Sequence, residues 1–297
     1  MSKTNPKGNN LTKSPTMNTK DIKKTTLPDT QNQIDIRQIP IDKVGVKNLK
    51  YPIAVKDKQN ELQHTIATIA MTVDLPKEFK GTHMSRFVEI LQCKDREIHV
   101  DSIDKILIEM QNRLKANASH IEMEFPYFME KNAPATGKPS LLDYIAKFHA
   151  VRNGDKKDFM LTVKVPVTTL CPCSKNISKY GAHNQRGEVT VSVRFKDTVW
   201  IEDLIAIVES SASSELYSLL KREDEKMVTE RAYENPVFVE DLVRNVVLKL
   251  KENKSITWYN VEAENFESIH NHNAYAQIES HNVFTNGHSG DFMINRY

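Results

Sequence analysis

Cysteine is scarce in this chain of 297 residues. Cys93, Cys171 and Cys173 are too few and too odd in number for a disulfide framework, and two of them are separated by a single proline. Their interest therefore lies in reactivity or metal binding. Long apolar runs are also missing. Nothing approaches the roughly 18 consecutive apolar residues of a membrane span, and the N-terminus lacks the apolar core of a secretory signal. A cytoplasmic protein with no membrane partner is expected. Aromatic residues are absent from positions 1–45, which are rich in Lys, Thr, Asn, Gln and Pro. That composition buries too little apolar surface to offset ordering entropy, so a disordered basic arm is expected there.

Charge is unevenly placed. The first forty residues hold seven Lys and Arg against three Asp, and 7 − 3 = +4 leaves −2 for the rest of a chain whose net charge is +2. The basic residues of the arm are dispersed and not interleaved with stacking aromatics, which favours a solvated tail over a nucleic-acid partner.

What is present suits a folded body. With 39% hydrophobic residues the chain can form one large domain or two of about 100 to 150 residues. Residues 51–57 and 61–73 have strand character, the second with Ile69, Met71 and Val73 alternating. Ser85 can open a short helix carrying Phe87, Ile90 and Leu91. Ser102 can open a longer one with Ile103, Ile106, Leu107, Met110 and Leu114. Alternation resumes at Ile121, Met123 and Phe125, and residues 144–151 lead into the turn Asn153-Gly154.

The order then repeats. Leu161, Val163, Val165 and Val167 mark one strand, and Val189, Val191, Val193 and Phe195 another. Ile201, Leu204, Ile205, Val208, Ala212, Leu216 and Leu219 predict one long amphipathic helix. A second, opened by Asn235-Pro236, carries Val239, Leu242, Val243, Val246 and Leu250. Strands near 256–264 and 274–280 complete the set. The pattern is α+β: two tandem ββααββ units, residues 46–152 and 153–282, each an antiparallel sheet with two helices on one face, followed by a tail over 283–297. The halves share pattern without convincing identity.

Candidate chemistry clusters in the second unit. Cys171 and Cys173 lie just past a buried strand, where the chain must turn, and alternate in direction if the backbone stays extended. A pair of inert, packed thiols is the alternative. His183 follows in Tyr180-Gly181-Ala182-His183-Asn184-Gln185-Arg186, among polar donors. Glu225 lies in a charge run, 222–226, that would ordinarily be a solvated face. Glu240 and Asp241 fall in the first turns of a helix, where the dipole favours carboxylates and capping alone would account for them. His270 and His272 sit between the closing strands. One thiolate, one carboxylate and one or two imidazoles can form a three-ligand site that leaves a position for water. The spacing is not that of a zinc finger, which favours a catalytic metal over a structural one.

The run 169–175 (TLCPCSK), continued through 180–186 (YGAHNQR), closely resembles the signature of the type IB GTP cyclohydrolase I family. Residues 81–87 (GTHMSRF), 229–244 (TERAYENPVFVEDLVR) and 267–272 (ESIHNH) resemble it as well. The likeness spans residues 45 to 282. It implies two tunnelling-fold units per chain and a homotetramer with active sites between subunits. It also implies conversion of GTP and water to 7,8-dihydroneopterin triphosphate and formate, the entry step to folate-type pterins. Carried over by motif, Cys171, Glu225 and His270 are the implied ligands of a divalent metal, zinc, manganese or iron. His183 is implied to be a further ligand or a proton donor and acceptor, and Glu240 the anchor of the guanine ring. For the triphosphate, Lys175, Lys179, Arg186, Arg231 and, from another subunit, Arg86 are candidates, because guanidinium forks match phosphate oxygens.

Two rivals remain at this level. A nitrile-reducing relative of the same fold, acting on a deazaguanine with NADPH, also uses a cysteine and a purine-anchoring glutamate, but its Glu-Ser-Lys-Ser-Leu-Lys type of motif is missing here. A non-catalytic binding protein stabilised by zinc predicts four closed protein ligands and no turnover.

Overall fold

The computed structural model of the chain describes residues 29–31, 33–58, 62–92 and 100–280. Most of the expected arm, the tail from 283 and Cys93 lie outside the described residues. Eight strands form one antiparallel sheet in sequence order: β1 (Ile41–Val55), β2 (Gln63–Leu75), β3 (Ala118–Asn132), β4 (Pro139–Asn153), β5 (Lys156–Leu170), β6 (Asn184–Phe195), β7 (Ile256–Asn265) and β8 (Ala274–Glu279). Helices α1 (Met84–Gln92) and α2 (Val100–Leu114) stand between β2 and β3. Helices α4 (Ile201–Glu209), α5 (Arg222–Glu234) and α6 (Val239–Glu252) stand between β6 and β7, and the short α3 (Pro172–Ile177) links β5 to β6. The first half follows the expected ββααββ order, whereas the second adds α3 between β5 and β6 and a third helix between β6 and β7; joined through the β4/β5 pairing, the two halves give the α+β architecture that the periodicity predicts.

Alternation explains why the helices lie on one face. Ile69, Met71, Ile121, Met123, Phe125, Val163, Val165, Val189 and Val191 are fully or almost fully buried. Phe87, Ile90, Ile103, Ile106 and Met110 cover them in the first half, and Leu204, Ile205, Val208, Leu242, Val246 and Leu250 in the second. Each buried side chain of this size stabilises the fold by roughly 1.5–3 kcal/mol relative to exposure. The intervening positions are polar. Lys147 meets Glu122 at 2.7 Å, Thr162 meets Ser192 at 2.8 Å, and Lys164 meets Glu188 at 3.5 Å. An antiparallel sheet with one covered face has this signature. His120, on the polar face, is pushed down to about 4 by burial, then by Lys43 and His149.

Several elements depart from the sequence expectations. β1 begins at Ile41, inside the stretch assigned to the arm, because its pairing with Leu75 and Val73 orders residues that have no aromatic anchor of their own. The helix expected over 201–219 ends at Glu209. There Ser210 and Ser211 turn their hydroxyls back onto the carbonyls of Ala206 and Ile207. The chain then runs along β5, with Thr168 and Ser214 exchanging backbone bonds of 2.9 and 3.2 Å. Local hydroxyl bonds of this kind compete with the helix ladder. The charge run 222–226 starts helix α5, with Arg222, Glu223, Glu225 and Lys226 exposed as a solvated face and Asp224 alone buried. No helix among the described residues is long and apolar enough to cross a membrane.

Candidate active site at the end of the central strands

β5 and β6 pair up to Leu170 and Asn184, and the candidate residues Cys171 and His183 lie just beyond that pair. Cys171 caps α3: its Sγ accepts from the Ser174 amide at 3.4 Å, with Pro172 preset for the first helical position. The thiol is half-buried, whereas Cys173, the second residue of α3, is exposed. The two sulfurs therefore occupy different environments, although the chain between them starts a helix and is not the extended backbone on which the alternation argument rests.

The loop from α3 to β6 returns directly to this cap. Gly181 has φ +117°, a conformation that favours glycine, and the chain folds back beyond it. The Cys171 amide then donates to the His183 carbonyl at 3.1 Å, and the His183 amide donates to Ser174 Oγ at 3.1 Å. The backbones of Cys171 and His183 are thus tied together, twelve residues apart in sequence (183 − 171).

The imidazole has its own support. His183 Nδ1 lies 2.9 Å from Gln185 Oε1, and Gln185 Nε2 donates at 2.9 Å to the fully buried Thr169 Oγ1. With its nitrogen committed to Thr169, the amide presents oxygen to the ring. With the amide in this orientation, neutral His183 carries its proton on Nδ1 and has its lone pair on Nε2. Neither Gln185 nor Thr169 was singled out from the sequence; the available signal was a polar pair on inward positions of otherwise apolar strands.

The surrounding elements converge on the same sheet end. The Val237 amide donates to the Leu170 carbonyl at 3.0 Å, which brings the segment leading into α6, the helix that carries Glu240 in its first turn, to the residue before Cys171. The Phe266 amide donates to the Arg186 carbonyl at 2.9 Å, so the β7–β8 connection carrying His270 also starts here. His270 is exposed, 3.3 Å from Glu267 and with its ring centroid 5.1 Å from that of His272. Glu225 and Glu240 are exposed in the first turns of α5 and α6. A hollow of about 300 Å³ lies between the end of β5, the Gly181 loop and the α5 face of Thr229 and Tyr233. This is the lower end of the size range for small-molecule sites.

The triphosphate candidates divide. Lys175 donates to the Tyr233 carbonyl and lies 4.4 Å from the Tyr233 ring centroid, while Lys179 lies 5.2 Å from that of Tyr180. Arg231 pairs with Glu215 at 3.0 Å. Arg186 is exposed at the start of β6, and Arg86 in α1 donates to the Arg113 carbonyl at 3.2 Å. Cys171, Glu225 and His270 are not drawn together: among the described residues of one chain, no three His, Cys, Asp or Glu side chains are placed to hold an ion. The closed four-ligand site required by a structural-zinc protein is accordingly missing from the described residues as well.

Cys171 and His183 stand together at the end of an antiparallel sheet, and Glu225 and Glu240 are exposed on the first turns of two helices, residue types that suit an enzyme of the metal-assisted, proton-transfer type. Comparison with known proteins narrows this. The family described as type I GTP cyclohydrolase folE2 matches residues 27–276. Relatives named GTP cyclohydrolase FolE2 are 61% identical in Akkermansia muciniphila, covering 85% of this chain and 97% of theirs. In Syntrophus aciditrophicus the identity is 59%, over 84% and 98%. The chain belongs to the type I GTP cyclohydrolase folE2 family. Among solved structures, it is similar to uricase from Arthrobacter globiformis, with TM-score 0.48 and 6% identity over 84% of this chain and 96% of that one.

Proposed function

We propose that this GTP cyclohydrolase works as a type IB enzyme, converting GTP and water to 7,8-dihydroneopterin triphosphate and formate at a site built around Cys171, His183, Glu225, Glu240 and His270. The observation that carries the reading is the backbone lock between Cys171 and His183 at the end of β5 and β6.

A thiolate, a carboxylate and an imidazole suit a borderline divalent ion such as Zn²⁺, Mn²⁺ or Fe²⁺, and Cys171, Glu225 and His270 would hold it. When bound, such an ion lowers the pKa of water toward about 7 and so supplies hydroxide at neutral pH. The protein's own groups do the rest. Glu240 accepts hydrogen bonds from the N1 and N2 edge of guanine and holds the base with C8 toward the thiol end. His183, with Nε2 open and Nδ1 on Gln185, takes and returns protons as the five-membered ring opens and formate leaves. Arg186, Arg231 and Lys175 are the groups that reach for the triphosphate, the last two by exchanging Glu215 and the Tyr233 carbonyl for phosphate oxygens.

The working form is a homo-oligomer, a tetramer with sites between subunits, in the cytoplasm. Two features support assembly. The outer edges of β1 and β8 pair with no other strand of this chain among the described residues, and such edges are normally paired or covered. The candidate ligands also stay apart within one chain.

Incubation of the purified protein with GTP and Mn²⁺ or Zn²⁺, followed by oxidation and pterin fluorescence, tests the reading. Pterin and formate in equal amounts are expected. Consumption of NADPH with a deazaguanine nitrile, and no pterin with any metal, would overturn it in favour of the reductase.

A further inference from the structure

Glu225 stands on a helix that apolar packing does not hold. α5 buries only Asp224 and Ala232, so burial supplies little to fix where the helix sits. Polar anchors take that role. Near its end, Arg231 pairs with Glu215, and Asn235 Nδ2 donates to the Ala212 carbonyl at 2.9 Å. At its start stands Asp224, with no exposed surface although its chain neighbours Glu223 and Glu225 are exposed.

The bonds of Asp224 come mainly from the other half of the molecule. One carboxylate oxygen accepts the backbone N–H groups of Ala135 and Thr136, both at 2.8 Å. The other accepts the Thr136 hydroxyl at 2.8 Å and the Lys221 amide at 2.9 Å. Four donors saturate the carboxylate. Only the bond from Lys221 is needed to cap a helix. The other three tie the first turn of α5 to the β3–β4 turn, which lies in the first ββααββ unit and contributes no proposed ligand.

We propose that Asp224 is a positioning residue for the metal site: it clamps the first turn of α5 to the β3–β4 turn and thereby sets the place from which Glu225 reaches the ion. The inference rests on Glu225 being a ligand. It assigns the first unit a part in the site, as the surface against which the ligand helix is registered. An unpaired Asp224 would leave Glu225 chemically intact on a helix start free to shift. A displaced carboxylate ligand weakens metal binding by the 10–100-fold typical of residues that orient ligands.

The experiment is Mn²⁺ titration of the assembled full-length enzyme, well below its melting temperature, for Asp224→Asn, Thr136→Val and Glu225→Ala. Asp224→Asn places an amide against at least one N–H donor and is expected to raise the Mn²⁺ dissociation constant roughly 10–100-fold. Thr136→Val removes the hydroxyl bond alone and is expected to give a smaller rise in the same direction. Wild-type Mn²⁺ affinity in Asp224→Asn, with only the melting temperature lowered, would reduce the clamp to a stability device and overturn the proposal. Should that variant not fold, unchanged affinity in a destabilised Thr136→Val has the same force. Undiminished affinity in Glu225→Ala removes the ligand reading itself, a failure separable from that of the clamp.

Discussion

Gln185 holds the ring of His183 from the buried side: Oε1 lies 2.9 Å from Nδ1, and the amide nitrogen is committed at 2.9 Å to the hydroxyl of Thr169. The glutamine thus works as the carboxylate does in other imidazole sites, without adding a charge. Gln185→Leu removes both bonds. The expected result is a fall in kcat of about 10–100-fold in a folded protein, measured as steady-state pterin formation alongside a melting curve.

Glu240 is exposed in the first turn of α6, where it has no structural duty beyond the helix dipole. Glu240→Ala should therefore leave the melting temperature nearly unchanged while weakening GTP binding. A charged hydrogen bond contributes about 1.5–3 kcal/mol, so kcat/KM for GTP should drop by roughly 10–150-fold. A loss of stability with normal kinetics would mean that the glutamate serves the helix and not the base.

Ser213 Oγ accepts the Leu170 amide at 3.0 Å in a buried position immediately before Cys171. Ser213→Ala leaves that N–H buried and unpaired, at a cost of about 1–3 kcal/mol. A lower melting temperature is expected from calorimetry, together with reduced turnover, because the same segment seats the thiol.

His120 links stability to pH. Its ring is held at about 4 against an ordinary 6.5, by burial first and then by the charges of Lys43 and His149. The folded state therefore binds its proton less readily than the unfolded state does. This contribution is fully present above pH 6.5 and is lost as the pH falls toward 4. The ring is only partly buried, so screening keeps the effect below the full value for such a shift. His120→Asn should flatten that part of the curve of melting temperature against pH, and an unchanged slope would discount His120 as its source.

The sheet and most helices were legible because alternation in β2, β3, β5 and β6 and the 3.6-residue spacing in α2 and α6 follow directly from one-sided burial. What escaped notice had other causes. The serines at 210–214 break the apolar spacing of α4 through bonds to their own backbone, which periodicity alone does not register. α5 carries no apolar stripe, since long-range bonds to Asp224 hold it in place. For the site, Cys171, His183 and Glu240 were recognisable by motif. Gln185, Thr169 and Asp224 matter through partners 2 to 89 residues away, contacts that a linear sequence does not display.

The most direct test compares Cys171→Ala with Cys173→Ala, measuring GTP turnover and bound Mn²⁺ per chain in the same preparations. Cys171 caps α3 half-buried beside His183, and Cys173 is exposed two residues on. Cys171→Ala should lose metal and at least about a thousandfold in kcat/KM, close to 4 kcal/mol of transition-state stabilisation. Cys173→Ala should stay within a few-fold of wild type in both. Equal losses in the two variants, or full metal binding and turnover in Cys171→Ala, would contradict a site centred on Cys171.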